Sequence, residues 1–215
     1  MIPLSDDIPT RNFPLITLLA IGANIWIYFE MFFSATVSPE LVFNQYGLVP
    51  YNLIHSPVTE YPAIYSSMFI HSGFFHLAGN MLYLWIFGNN IEDVLGKFRF
   101  ILFYLVCGTI AALGHIATNT DSIIPMVGAS GAVSGVLGAY LVLFPFARVK
   151  TLIFIIIFVT VIRIPALVLL GLWIALQVLN GIAASDGSAG VAWFAHIGGF
   201  LAGMILILPF RKMRA

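Results

Sequence analysis

The chain has little charge and a single cysteine, and both shortages limit what it can be. Only 8% of its 215 residues are charged, 60% are hydrophobic, and the mean hydropathy is +1.02. A soluble domain of this size cannot hide so much apolar surface, so we expect a polytopic membrane protein. The lone Cys107 excludes an internal disulfide and a cysteine metal cluster. The formal net charge of zero gives no indication of nucleic-acid binding. We expect no metal, no small-molecule cofactor and no nucleic acid.

Long apolar runs predict six membrane spans, since a bilayer core needs about 20 apolar residues per helix. The opening MIPLSDDIPTRN lacks the basic region and short apolar core of a cleavable signal, and we expect none. The segment 151–165 is apolar but short and is interrupted by Arg163. It is interpreted as a strand-like or interfacial connector, with Pro165 in the first turn of the next helix. The predicted fold is an all-α six-transmembrane-helix bundle forming one domain, 1–215, with spans at about 14–33, 75–91, 98–117, 128–146, 166–184 and 189–210.

The cations fix the orientation of such a bundle. With six spans, every Lys and Arg lies on one side of the membrane, which the positive-inside rule makes cytoplasmic. The sequence thus predicts a cytoplasmic tail (1–13), a cytoplasmic connector (147–165) and an outer loop (34–74). That loop is rich in apolar residues and lacks Lys and Arg, so we expect it to lie in the membrane interface. The cations are Arg11, Lys97, Arg99, Arg148, Lys150, Arg163, Arg211, Lys212 and Arg214.

Polar side chains are costly in a bilayer, and here they converge at one depth. Spans 2, 4 and 6 all run from the outside inward, and each carries its polar residues in its first turns. His76 and Asn80 come from span 2, Ser130 and Ser134 from span 4, and His196 from span 6. The sequence therefore predicts a polar site just below the outer surface.

Glycine spacing indicates how spans 4 and 6 approach each other. Pairs of glycines four residues apart make a small-residue face that allows close backbone contact. Ser130 adjoins the first face and His196 lies one turn before the second, so packing along these faces brings the hydroxyl and the imidazole together. The glycines are Gly131 and Gly135 on span 4, and Gly199 and Gly203 on span 6.

These residue types suit acyl transfer. A serine beside a histidine base is an activated nucleophile. The backbone N–H of Ser130 is free at a helix start, and His76 and Asn80 add side-chain donors, so an oxyanion hole is available. His196 serves as the base. An acidic third member of the set is not required.

The same residues have other readings. Asp121 and Asp186 in the outer loops are able to orient His196. A serine in a membrane helix often bonds back to a carbonyl one turn earlier, and a membrane histidine is often only a hydrogen-bonding partner or ion ligand. GASGA lacks the G-x-S-x-G elbow of an α/β-hydrolase, because Ala132 stands where the last glycine of that motif is required. A transporter or channel needs ionisable residues across the midplane, whereas these lie near the outer face, as does His115 at the outer end of span 3.

Three motifs, HSGFFHLAGN, GASGAVSG and AHIGGFLAG, resemble the rhomboid family of intramembrane serine proteases in order and helical placement. The resemblance extends from about residue 66 to the last span. It implies that Ser130 is the nucleophile and His196 the base of a Ser–His dyad, and that His76 and Asn80 help to form the oxyanion hole. It also implies a mainly structural role for His71.

Further positions complete the resemblance or depart from it. Glu92 fits the acidic residue that closes the second helix of the family. Pro62 and Ala63 stand where many members have a Trp-Arg pair. Ser134 replaces an aromatic residue that stacks on the catalytic histidine in many members, so His196 is oriented instead by the Ser134 hydroxyl or by closer helix packing.

The resemblance implies an intramembrane serine endopeptidase of the cell membrane, with both termini cytoplasmic. Its expected partners are transmembrane substrates and the lipid bilayer. The expected reaction is cleavage near the outer face through an acyl-enzyme. The alternative is a catalytically inactive rhomboid-like protein that binds or escorts other membrane proteins.

Overall fold

The computed structural model describes residues 1–33, 38–155, 158–184 and 191–210. Most of these residues are helical. The elements in chain order are β1 (Ile2–Ser5), α1 (Leu15–Phe33), α2 (Pro39–Tyr46), α3 (Pro50–His55), α4 (Pro57–Glu60), α5 (Ala63–Ser66), a 3₁₀ turn (Ser67–Phe69), α6 (Phe74–Tyr83), a π turn (Leu84–Gly88), α7 (Asn89–Leu95), α8 (Lys97–Thr118), α9 (Ser130–Leu143), β2 (Arg148–Ile155), β3 (Phe158–Pro165), α10 (Ala166–Ala183) and α11 (Trp193–Phe210).

The helices confirm a multi-pass membrane bundle. Among the described residues, four helices are long and apolar enough to cross a bilayer: α1, α8, α10 and α11. The apolar helix α9 is shorter, with 14 residues. A sixth apolar segment is made of α6, the π turn and α7, which follow one another without a break from 74 to 95.

Helix α9 lies at the centre of the bundle, where its shortness is tolerated. Every residue from Ala132 to Tyr140 is buried. A helix enclosed by protein does not need to match the thickness of the lipid, because its ends meet other segments rather than acyl chains. Its first turn carries Ser130, so the central position of α9 also places that serine inside the molecule.

A three-stranded antiparallel sheet lies outside the helical bundle. The connector 147–165 forms the hairpin β2–β3, in which Lys150 lies opposite Arg163. The strand-like interpretation of this connector describes it well. The tail 1–13 is also structured, because β1 pairs with β2 in the order β1-β2-β3. Pro165 is the N-cap of α10 rather than a residue of its first turn.

The buried carboxylate of Glu92 joins α7 to the start of α1. It accepts hydrogen bonds from the backbone N–H of Ile16 at 3.0 Å, and from the N–H and hydroxyl of Thr17 at 2.8 Å each. These N–H groups have no acceptor within α1, and the positive end of the helix dipole favours an anion there. Glu92 thus fixes the first span against the second.

The outer loop contains short helices with many exposed apolar side chains. Val58 is 83% exposed and Leu41 is 65% exposed. These side chains suit a position in the membrane interface, which stays a prediction. The loop is tied to the bundle where Leu48 and Met126 exchange backbone hydrogen bonds of 3.0 and 2.8 Å. Ala63 is buried; it is one of the two loop positions at which the sequence departs from the resembled family.

Candidate active site

Ser130 and His196 form a hydrogen-bonded pair between α9 and α11. The Nε2 atom of His196 lies 2.8 Å from the Oγ atom of Ser130, although 66 residues separate them in the chain. Ser130 is the first residue of α9, and His196 lies in the first turn of α11. Both side chains are partly buried. A hydroxyl at this distance from a ring nitrogen can give up its proton as it attacks.

Contacts between glycines bring the two helices this close. A Cβ atom added to Gly199 would overlap the carbonyl oxygen of Gly131, and one added to Gly203 would overlap that of Gly135. Any side chain at Gly199 or Gly203 would therefore push α11 away from α9. The four glycines named from the sequence meet in two pairs, Gly131 with Gly199 and Gly135 with Gly203.

The two residues named as oxyanion donors line the same cavity as the pair. The cavity has a volume of about 720 Å³, and its walls include Ser130, His196, His76 and Asn80. The Asn80 side chain donates to the His76 carbonyl at 3.1 Å. Since Ser130 opens its helix, its N–H has no intrahelical acceptor and is available beside these side chains.

The turn before Ser130 needs a glycine. Gly128 has a φ of +121°, a backbone conformation that other residues avoid. A Cβ atom there would lie 2.6 Å from the Nε2 atom of His76. The absence of a side chain at Gly128 thus leaves room for the Nε2 edge of His76 beside the turn that precedes Ser130. The Nδ1 edge of the same ring lies 3.1 Å from the Ser72 hydroxyl. A hydroxyl donating to Nδ1 leaves the ring proton on Nε2, the tautomer that can donate to an oxyanion.

His71 contacts the backbone of the same turn. It is fully buried, and its Nε2 atom accepts a hydrogen bond from the backbone N–H of Ala129 at 3.5 Å. Its ring packs edge-on against His76, with centroids 5.1 Å apart. The contact with the backbone beside Ser130 agrees with a structural role.

Ser134 does not orient the histidine. Its hydroxyl donates to the carbonyl oxygen of Ser130 at 2.6 Å, the back-bond common for serines in membrane helices. Two ways of orienting His196 were considered from the sequence. The prediction that the Ser134 hydroxyl orients the ring is therefore wrong.

The ring of His196 is held by α10 instead. The Oε1 atom of Gln177 lies 2.7 Å from the Nδ1 atom of His196. Trp173, one turn earlier on α10, lies against the same ring with centroids 5.9 Å apart and planes at 35°. Sequence reasoning missed both residues. A signal was present, because Gln177 is a polar residue within an apolar span and such residues usually have a task.

The remaining polar candidates make contacts away from the Ser–His pair. His115 lines the same cavity, and its carbonyl accepts from the Asn119 side chain at 3.0 Å. The Asp121 carboxylate accepts from the Thr120 hydroxyl at 3.4 Å, while the Nδ1 atom of His196 is contacted by Gln177. Asp186 lies outside the described residues.

A protein-family model matches most of the chain. A model described as "Rhomboid domain" matches residues 58–213, which is more than half of the chain. The protein belongs to the rhomboid family. The matched range contains the whole Ser–His site and every span except the first.

Individual rhomboid relatives match at moderate identity. The chain is 32% identical over 157 residues to Rhomboid protein 1, mitochondrial, of Saccharomyces cerevisiae, covering 69% of this chain and 41% of that protein. It is 32% identical over 132 residues to Putative rhomboid protease YdcA of Bacillus subtilis, covering 61% and 63%. It is 36% identical over 130 residues to Rhomboid protease GluP of the same species, covering 60% and 24%. The match thus spans less than two thirds of the length of each of these relatives.

Proposed function

We propose that this rhomboid is an active intramembrane serine endopeptidase. The observation that carries the proposal is the 2.8 Å contact between His196 Nε2 and Ser130 Oγ, inside a cavity that also holds candidate oxyanion donors. Membership of a family of intramembrane proteases adds support. The substrates are transmembrane segments of other membrane proteins.

The reaction proceeds through an acyl-enzyme. Ser130 Oγ attacks the scissile carbonyl carbon while His196 Nε2 takes the hydroxyl proton. The negative carbonyl oxygen is stabilised by the Ser130 N–H, His76 and Asn80. The C–N bond then breaks, and His196 returns the proton to the leaving amine. A water molecule, deprotonated by His196, attacks the ester and releases the second product and free Ser130.

Substrate reaches the site between α6 and α10. The cavity is bounded by Phe75 and Gly79 on one side and by Trp173 and Gly181 on the other. Phe75 is 89% exposed, so it faces the lipid rather than the bundle. A substrate helix must unwind locally to present a peptide bond, because a helical carbonyl is already bonded. Segments with helix-breaking residues and a small residue at the cut are therefore preferred.

The active site lies near the outer face of a cell membrane, with both chain termini cytoplasmic. The described cations support this orientation, because they cluster at the end of the bundle away from Ser130. The backbone N–H of Arg11 donates to the Asp93 carboxylate on α7, and the Arg99 side chain donates to the Phe210 carbonyl at the end of α11. The positive-inside rule assigns that end to the cytoplasm.

Co-expression with a single-span reporter tests the proposal. Ser130→Ala and His196→Ala are expected to leave the reporter intact, because each removes half of the pair. Ser134→Ala is the matched control and should retain most of the cleavage, since its hydroxyl bonds only to the backbone. Reporter binding without cleavage by the wild-type chain would favour an inactive escort protein. Cleavage that survives Ser130→Ala would overturn the assignment.

A further inference from the structure

The hydrogen bond between Gln177 and His196 determines which ring nitrogen faces the nucleophile. To act as a base, Nε2 of His196 must carry a lone pair toward Ser130, so the ring proton must be on Nδ1. Nothing in the Ser–His pair itself enforces that choice, because a serine hydroxyl can both donate and accept. The group that is hydrogen-bonded to Nδ1 therefore determines which ring nitrogen carries the proton.

The amide of Gln177 presents an acceptor to Nδ1. Its Nε2 atom lies 3.4 Å from the carbonyl oxygen of Trp173, which can only accept a hydrogen bond. The NH₂ end of the amide is therefore turned toward Trp173, and the oxygen is turned toward His196 at 2.7 Å. An oxygen there requires a hydrogen on Nδ1. Gln177 is only 7% exposed, so water does not readily replace it.

We propose that Gln177 is a positioning residue that holds His196 in the Nδ1–H tautomer and thereby keeps Nε2 free to accept the Ser130 proton. This inference rests on the proposed protease function. Gln177 stands where an acidic residue stands in a Ser-His-Asp triad, but it remains neutral. The neutral amide orients the ring without adding a charge in a desolvated cavity, where an unpaired carboxylate is costly.

The location of Gln177 also links the base to a second helix. Trp173 and Gln177 lie one turn apart on α10, while His196 is on α11 and Ser130 on α9. The His196 ring is therefore held from α10 at both its face and its Nδ1 edge. The His196 ring is held in this orientation only when α10 is packed against α11.

Two substitutions at the same position test this role. Gln177→Met keeps the length and apolar packing but removes the acceptor, while Gln177→Glu keeps an acceptor oxygen. Gln177→Met is expected to lower kcat for a transmembrane peptide about tenfold or more with little change in KM, because one hydrogen bond that fixes the base is lost. Gln177→Glu is expected to retain more activity than Gln177→Met. Leu176→Met, at an exposed position of the same turn, is the control for a methionine in α10 and should match the wild type.

A direct readout separates this inference from the proposed function. Nitrogen-15 NMR of histidine-labelled protein, with His196 assigned by His196→Ala, reports which ring nitrogen carries the proton. The wild type should show a protonated Nδ1 and a bare Nε2, and Gln177→Met should show a mixture. A wild-type His196 protonated on Nε2 would overturn the inference even if the enzyme is active. Full kcat in Gln177→Met, or equal loss in Gln177→Met and Gln177→Glu, would also overturn it. A wild-type chain that shows the expected tautomer but does not cleave would count against the protease proposal alone.

Discussion

Gly199 of α11 faces the carbonyl oxygen of Gly131 on α9 with no room for a side chain between them. Gly199 lies one turn after His196, and Gly131 directly follows Ser130. The distance between the two helix backbones and the distance between the His196 ring and the Ser130 hydroxyl are therefore set by the same contact.

Replacing Gly199 with valine should separate the two helices. The added side chain overlaps the Gly131 carbonyl, and overpacking of this kind typically costs about 1–3 kcal/mol. We expect a lower unfolding temperature in detergent and loss of reporter cleavage. Gly171→Val is the matched control, because an added Cβ at Gly171 meets no atom within 4 Å. Unchanged cleavage by Gly199→Val would show that glycine packing does not set the geometry of the site.

Replacing Asn80 with alanine should slow catalysis without weakening substrate binding. A donor that acts only on the transition-state oxyanion lowers kcat, and removal of one such donor costs about 10²-fold or more in other acyl-transfer enzymes. Steady-state kinetics on a transmembrane peptide measure kcat and KM separately. Asn180→Ala, at an exposed position of α10, serves as the control. A rise in KM with unchanged kcat would instead place Asn80 in substrate binding.

Replacing Glu92 with glutamine should destabilise the fold while leaving the chemistry of the site intact. The change removes the negative charge from a buried group that accepts three hydrogen bonds at the start of α1. Charge-assisted bonds of this type contribute about 1.5–3 kcal/mol each, and the amide retains part of that. Thermal unfolding in detergent measures the loss, with the exposed Glu30→Gln as control. An unfolding temperature equal to that of the control would contradict the capping role.

Asp6 should make the docking of the N-terminal strand sensitive to pH. Burial raises the pKa of Asp6 above its ordinary value of 3.8, although hydrogen bonds from Tyr140 and Asn90 act in the opposite direction. A raised folded-state pKa means that protonation favours the folded form. The stabilising contribution is thus full below the ordinary pKa and is lost as the pH rises through the higher folded-state value.

The difference in unfolding temperature between wild type and Asp6→Asn measures this effect. Asparagine cannot ionise, so it pays no cost of burying a charge at any pH. We expect the wild type to gain stability relative to Asp6→Asn when the pH falls from neutral toward the ordinary carboxylate value. Comparing the two proteins cancels the titration of the other carboxylates. A difference that is constant with pH, or that changes in the opposite direction, would contradict the account.

The convergence of these polar residues on one cavity could be predicted from the sequence, because topology and helix period alone bring them together. His76, Asn80, Ser130 and His196 each lie in the first turns of spans that run in one direction. Glycine spacing then indicated which helices approach closely. These inferences depend on helix period and glycine spacing, which are local properties of the sequence and do not depend on how the helices pack.

The contacts of Gln177 and Ser134 could not be predicted in the same way. Each depends on the rotation of a helix relative to its neighbour, which an almost uniformly apolar sequence leaves open. The pairing of β1 with β2 was missed for a related reason. A four-residue strand carries almost no periodic signal, and its partner lies about 150 residues away in the chain.

The most direct test of the central claim is to map where a fluorophosphonate probe reacts. The probe is incubated with the protein in lipid bilayers, and the modified peptide is identified by mass spectrometry. The account predicts a single adduct on Ser130 that is lost in His196→Ala and retained in Ser134→Ala. An adduct on Ser134, or no adduct on a folded protein, would contradict it.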